Sequence, residues 1–311
     1  MLTAPLTSIY RTLLPPQVRA PLWHLRSAGG ALLSDRPSYR QWLLDFYRSI
    51  GRFQPVVRTA IGTRLAVDLR DEGIGWPIFV HQEYEPGETR FIARTLRAGD
   101  VFVDVGANVG YFTTLASGRV GPRGKVIAFE PDPDSCALLR DNLRRNGARN
   151  AVVFNCALGS EDRAGQLYRS KSNFGDHRVA AGNEDRESVS ISIRRFDAVC
   201  ADLTVSRVDL IKIDVQGYEP QVLEGMGDSL DRLQVRTILM EFWPYGIRYA
   251  GGSPAKLIDR LLSHGFVIHE LDDAGEAQRV EPAEMLARVE AMNAVRPLTF
   301  ANLVLRKERG E

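Results

Sequence analysis

From residue 99 onward, short apolar runs alternate with stretches whose apolar positions recur at helical spacing. The runs predict strands at 101–105, 125–130, 151–155, 208–213, 236–242, 266–270 and 299–306. The periodic stretches predict helices at about 86–97, 110–118, 133–146, 219–226, 254–264 and 282–292. Strands that alternate with helices close a parallel sheet through crossovers. The expected fold class is therefore α/β, a doubly wound, mostly parallel seven-stranded sheet of Rossmann-like type with an N-terminal helical and β extension.

The extension reads as residues 1–80. Pro15, Pro16, Pro21 and Gly29-Gly30 divide its start, Tyr39 to Ile50 has the spacing of one helix, and residues 56–68 look like two strands joined at Gly62. Residues 81–311 form the main domain. A polar stretch at 159–205 breaks the alternation and contains Lys171-Ser-Asn-Phe-Gly-Asp-His177-Arg178. Insertions of this length are usually loops with a function, lids or extra hairpins. Placed before the fourth core strand, this one is expected to fold over the carboxyl ends of the strands, where open α/β sheets bind ligands, and to form part of an acceptor site.

Composition narrows the function classes. Forty basic and 39 acidic residues leave a net charge of +1, so no field exists to hold a long polyanion, and nucleic acid is not an expected partner. Cys136, Cys156 and Cys200 are too widely spaced for a zinc site and odd in number for a disulfide framework. No apolar run is long enough to span a membrane, and the start lacks the apolar segment of a signal peptide, which makes the cytosol the expected location. Residues 1–60 stand apart, with arginines at 11, 19, 26, 36, 40, 48, 52 and 58 against Asp35 and Asp45 alone. With Trp23, Trp42, Phe46 and Tyr47 interleaved, the segment suits a peripheral membrane surface, an acidic carrier, or an Arg-rich cap packed on the main domain.

The first core strand runs into Asp104-Val-Gly106-Ala-Asn108-Val-Gly110, and the second ends on Glu130. A strand, a glycine turn, a helix start and a second strand ending in an acid make a nucleoside-binding half-fold. A dinucleotide fingerprint keeps acids out of the turn so that backbone N–H groups can approach a pyrophosphate. Asp104 would repel that group, but suits the ammonium and sulfonium charges of S-adenosylmethionine. Glu130 would accept from the ribose hydroxyls. Gly106, Asn108 and Gly110 are then expected along the methionine part, while Asn155, Cys156 and Ala157 flank the adenine. The alternative for the glycines is purely steric, as any tight strand-to-helix turn needs them, and Tyr111 is either core or a neighbour of the cofactor.

Asp104 to Gly110, Ala128-Phe-Glu-Pro131, Asp141 to Asn146, Asp209-Leu-Ile-Lys-Ile-Asp-Val-Gln-Gly-Tyr-Glu219, Val222 to Gly225 and Met240-Glu241 resemble the FkbM family of class I S-adenosylmethionine-dependent methyltransferases. Tyr84-Glu85 and Gly175-Asp-His-Arg178 extend the resemblance, which covers roughly residues 80–270. It implies O-methylation of hydroxyls on sugars, glycolipids or polyketide-type natural products, usually in bacteria, and an antiparallel last strand tucked between parallel ones. The chain departs from the family's Lys-Ile-Asp-Val-Glu-Gly element by carrying Gln216 in place of the glutamate.

Methyl transfer needs the two reactants aligned and the hydroxyl proton removed. The candidate catalytic residues are His177, whose ordinary pKa suits a base, Asp214 at the end of the fourth strand and Glu241 at the end of the fifth. Asp214 could equally orient the acceptor, help hold a divalent metal or serve the cofactor side, and His177 could be a loop histidine paired with Asp176. Lys212 is expected on the face opposite its neighbours, in a functional contact or a salt bridge, and Glu219 at a helix start. No Asn/Asp-Pro-Pro-Tyr/Phe element and no Pro-Cys pair occur, which favours oxygen over a nucleobase amine or a pyrimidine carbon. N-methylation of a small molecule and a non-catalytic cofactor-binding scaffold stay open. A nicotinamide oxidoreductase would need a third fingerprint glycine and no strand-end aspartate.

Overall fold

A computed structural model describes residues 41, 42, 44, 45, 47, 54–179, 185–203 and 205–307. The chain divides into two compact units, Met1–Tyr84 and Glu85–Glu311. In the first, β1 (Val56–Arg58) and β2 (Arg64–Ala66) pair antiparallel across a turn in which Gly62 takes φ +85°. Helix α1 (Gly75–His81) was not legible as a periodic run. It starts because the Asp71 carboxylate accepts from the N–H groups of Gly73, Ile74 and Gly75 at 3.0, 3.2 and 2.9 Å. Most of the arginine-rich segment, with Trp23 and Phe46, lies outside the described residues, and so does the membrane or carrier docking expected of it.

The second unit opens with α2 (Pro86–Thr95) and then alternates β3 (Val101–Val105), α3 (Tyr111–Val120), β4 (Lys125–Phe129), α4 (Pro133–Arg145) and β5 (Ala151–Phe154). A three-stranded sheet follows, β6 (Ala157–Leu158), β7 (Arg163–Arg169) and β8 (Glu187–Arg194), in the order β6-β8-β7. The alternation resumes with α5 (Phe196–Asp202), β9 (Leu210–Ile213), α6 (Glu219–Met226), α7 (Ser229–Arg232), β10 (Thr237–Phe242), α8 (Pro244–Tyr249) and α9 (Pro254–Ser263). It closes with β11 (Phe266–Leu271), β12 (Ala277–Arg279), α10 (Pro282–Val295) and β13 (Ala301–Lys307).

The main sheet runs β12-β11-β13-β10-β9-β3-β4-β5, with β13 antiparallel to both β10 and β11. The antiparallel strand is thus tucked in as the resemblance implied. Among the described residues the sheet has eight strands rather than seven. The extra one, β12, is a short polar return of β11 through a turn at Asp272–Gly275, and Ala-Gln-Arg offers no apolar run to announce it.

Along β3, Val103 and Val105 pack into the main core with Ile127, Phe129, Ile211 and Ile213, all buried. Each such side chain removed from water contributes about 1.5–3 kcal/mol. Asp104 alternates onto the other face, toward α3. Because β3 lies between β4 on one side and β9 on the other, the strand order reverses there, and the carboxyl ends of these three strands frame a crevice.

Candidate functional site

The turn after β3 is built by close approach. Gly106 takes φ +85°, and a Cβ on it would come within 1.9 Å of the Asp214 carbonyl oxygen. Gly106 and Ala107 donate to the Phe129 carbonyl at 3.0 Å each, which lays the turn across the end of β4. Gly110 takes φ +86°, and a Cβ there would meet Leu139 at 2.3 Å. Both glycines therefore meet a steric demand of the turn. Asn108, at φ +47°, donates its backbone N–H to Glu130 Oε2 at 2.7 Å and its Nδ2 to the Phe174 carbonyl at 3.0 Å.

Glu130 is nearly enclosed. Its Oε1 accepts from the Asp132 N–H at 2.8 Å, and burial pushes its pKa up to about 8 against the pull of these two N–H bonds. Each oxygen keeps a second lone pair for a ligand hydroxyl. Asp104 is 1% exposed; its Oδ2 accepts from Thr113 Oγ1 at 2.5 Å, while Oδ1 is buried with no hydrogen-bond partner among the described residues. Burial pushes Asp104 up to about 6, opposed by the Lys212 ammonium and the Thr113 bond. A buried acceptor without a donor fits a ligand that brings one, as the ammonium of a methionine moiety does.

On β9, Lys212 stands opposite Asp104 in register and shares a face with Asp214. Its Nζ lies 2.9 Å from Asp214 Oδ2, 3.4 Å from Glu88 Oε2 and 4.0 Å from Glu85 Oε2, and 4.7 Å from the centre of the Phe112 ring. Burial alone would lower the Lys212 pKa, but Asp214, Glu88, Glu85 and Asp104 hold it well above its usual range. Burial, then neighbouring carboxylates, raises Glu85 well above the usual range, and burial raises Glu88 against the pull of Lys212. Glu85 entered the sequence reading only as part of the resemblance and Glu88 not at all, since an acid near a helix start reads as a response to the helix dipole.

Asp214 and Glu241 are brought together by a residue that sequence reasoning treated only as a departure. Gln216 Nε2 donates to Asp214 Oδ1 at 2.9 Å and to Glu241 Oε1 at 3.0 Å. Burial, then the charges of Asp214, Glu85 and Glu219, raises the Glu241 pKa well above the usual carboxylate range. Glu219, at the start of α6 as expected, holds the turn beneath. Its Oε1 accepts from the N–H groups of Val215 and Gly217 at 3.3 and 3.1 Å, and burial pushes its pKa up to about 7.

The insertion lies over this edge. Arg169 at the end of β7 pairs with Asp132 at 2.5 Å and Asp134 at 2.9 Å, just beyond Glu130. Arg178, in a backbone bridge with Tyr168, stacks over Trp243 at 4.9 Å and Tyr249 at 5.5 Å, just beyond β10. The segment between them carries His177, whose Nδ1 accepts the Ser170 N–H at 3.1 Å. Burial lowers its pKa to about 4. The imidazole is then neutral, with its proton on Nε2. No hydrogen bond joins it to Asp214 or Glu241 among the described residues. Asn155 uses Nδ2 to pin the carbonyls of Glu130 and Pro131 at 2.8 and 3.0 Å. Ala157 lies in the small apolar cluster of the insertion with Leu167, Ile191 and Ile193, and Cys156 in the main core. Tyr111 is buried, edge-on to Phe112 at 5.2 Å. Among the described residues no three His, Cys, Asp or Glu side chains form a group that could hold a metal ion. No helix among them is long and apolar enough to cross a membrane.

Comparison with known proteins gives a match of residues 104–268 to the methyltransferase FkbM domain. AMB antimetabolite synthetase AmbE of Pseudomonas aeruginosa is 30% identical over 210 residues, covering 56% of this chain and 10% of that protein. Methyltransferase 1 of Beauveria bassiana is 28% identical over 146 residues, covering 41% of this chain and 58% of that one. The 31-O-demethyl-FK506 methyltransferase FkbM of Streptomyces tacrolimicus is 29% identical over 202 residues, covering 56% of this chain and 75% of that one. The chain thus spans a tenth and somewhat over half of the first two relatives.

Proposed function

This chain belongs to the methyltransferase FkbM family, and from that premise we propose that the protein transfers a methyl group from S-adenosylmethionine to a hydroxyl of a sugar, glycolipid or polyketide-type small molecule. The observation that carries the cofactor reading is the buried Oδ1 of Asp104, without a partner among the described residues, beside a turn whose Asn108 N–H is already fixed on Glu130. A cationic amino-acid moiety completes the first acid, and ribose hydroxyls complete the second. The name of the Streptomyces relative, an O-demethyl substrate's methyltransferase, supports oxygen as the acceptor atom.

The bound cofactor supplies a methyl group already activated on a sulfonium sulfur. This chain's share is to align the acceptor and take one proton. Glu241 is the proposed base, since it stands at the carboxyl end of β10 and is tied to Asp214 through Gln216; burial raises its pKa, so its deprotonated form is a stronger proton acceptor than an ordinary carboxylate. The hydroxyl proton would pass to its carboxylate as the oxygen–carbon bond forms and the sulfur–methyl bond breaks, leaving a neutral ether and a neutral thioether. Asp214, held by Lys212 and Gln216, would accept a hydrogen bond from the same acceptor. His177, with its proton on Nε2, suits donation to an acceptor oxygen better than proton removal. The test compares small-molecule extracts of cells with and without the gene. A product heavier by one CH₂ only where the gene is present is the expected result; identical extracts, with no methyl transferred to them by the purified protein, would refute the reading.

A further inference from the structure

The turn between β9 and α6 carries a backbone conformation that a non-glycine residue rarely adopts. Gln216 sits at φ +54° and Gly217 at φ +95°, and a Cβ on Gly217 would come within 2.3 Å of the Gly246 carbonyl carbon. A left-handed glutamine costs free energy unless its surroundings fix it there. Here the Glu219 carboxylate fixes the turn from below, and the strained backbone returns the half-buried Gln216 side chain to the strand ends. Both of its amide hydrogens are used, one on Asp214 Oδ1 and one on Glu241 Oε1.

We infer that Gln216 is a positioning residue for methyl transfer: its neutral amide ties Glu241 to the Lys212-anchored Asp214 and so aims the base at the acceptor hydroxyl. The inference rests on the reading of Glu241 given above. An amide donates to two carboxylates without adding a negative charge or passing a proton between them. A carboxylate at the same point would face Asp214 and Glu241 as a third anion, beside Glu85 at the N-cap of α2, Glu88 within α2, Asp104 on β3 and Glu219 on α6, with the Lys212 ammonium among them. Asn302, opposite Glu241 on β13, brings no charge.

The experiment uses the full chain as wild type, Gln216→Met, Gln216→Glu, Glu241→Gln and the Gln216→Met/Glu241→Gln double variant. Methyl transfer is followed from methyl-tritiated S-adenosylmethionine to an extract of cells lacking the gene, with cofactor affinity measured by calorimetry. Both Gln216 variants should lose at least about tenfold in rate with cofactor affinity held within about threefold, and the double variant should be no slower than Glu241→Gln alone. In ¹³C-glutamate-labelled protein, the Glu241 carboxyl resonance, identified by its loss in Glu241→Gln, should titrate at higher pH in Gln216→Met, because the lost N–H bond favoured the charged form. An unmoved Glu241 titration, a Gln216→Met rate equal to wild type, or losses that multiply in the double variant would overturn the role of Gln216. Full transfer by Glu241→Gln would instead overturn the assignment of the base, and this inference with it.

Discussion

Asp104 and Glu130 are the residues on which the choice of cofactor turns, and each is almost sealed from water. For Asp104, burial pushes the pKa up to about 6, so the carboxylate that an ammonium seeks forms only as pH rises through that value. S-adenosylmethionine affinity should therefore strengthen between about pH 5 and 7, and an Asp104→Asn variant should bind more weakly without that dependence; calorimetry across the range checks it. Asp104→Ala and Glu130→Ala should each weaken binding by about 1.5–3 kcal/mol, the range for hydrogen bonds to charged groups. Unchanged affinity in both would remove the electrostatic argument. His177→Ala should retain a measurable rate, since a neutral imidazole with its proton on Nε2 orients rather than deprotonates; loss of all transfer would make it the base.

Among the elements, the turn from β9 into α6 couples the site to stability. Glu219 is fully buried with a pKa pushed up to about 7, so its folded form holds a proton that the unfolded chain releases near its ordinary value. Its contribution is complete below that ordinary value and is lost as pH rises through about 7. Urea unfolding of the cofactor-free protein should show stability falling from pH 5 to 8, and Glu219→Gln should flatten that slope by roughly 3 kcal/mol over the interval. An unchanged slope would contradict the burial of a titrating carboxyl. Lys212→Met should destabilise by about 3–5 kcal/mol, because Asp214, Glu88 and Glu85 lose the ammonium they surround, with partial recovery at low pH where Glu88 and Glu85 can bind protons. The sequence disclosed the strands and helices that carry these residues, because their apolar periods are strong. It did not disclose α1, which depends on the Asp71 cap, or β12, which is a polar return strand. Asp104, Glu130, Asp214 and Glu241 were legible as acids at strand ends, whereas Gln216 was visible only as a departure, Glu85 only through the resemblance and Glu88 not at all, since their meaning lies in contacts across the fold.

At the scale of the Glu85–Glu311 unit, the insertion read from its polarity alone contains the antiparallel pair β7 and β8, with β6 just before it pairing β8, and residues 169–178 reach from Asp132 and Asp134 to Trp243 and Tyr249. Arg169 fixes one end to Asp132 and Asp134, and Arg178 fixes the other over Trp243 and Tyr249. Arg169→Ala should speed amide exchange across residues 170–178 and raise the cofactor dissociation rate; equal exchange in both proteins would show that the pair does not hold the loop. The fold was predictable because an α/β sheet with a switch point allows few topologies, while the way the loop closes depends on ion pairs between segments distant in sequence. The central claim, that strand-end acids select a cationic nucleoside donor over a phosphate-bridged one, is tested most directly by calorimetric titration of the full chain with S-adenosylmethionine and, separately, with NADH. The expected result is saturable S-adenosylmethionine binding that weakens in Asp104→Ala, with no heat from NADH; binding of NADH alone would contradict it.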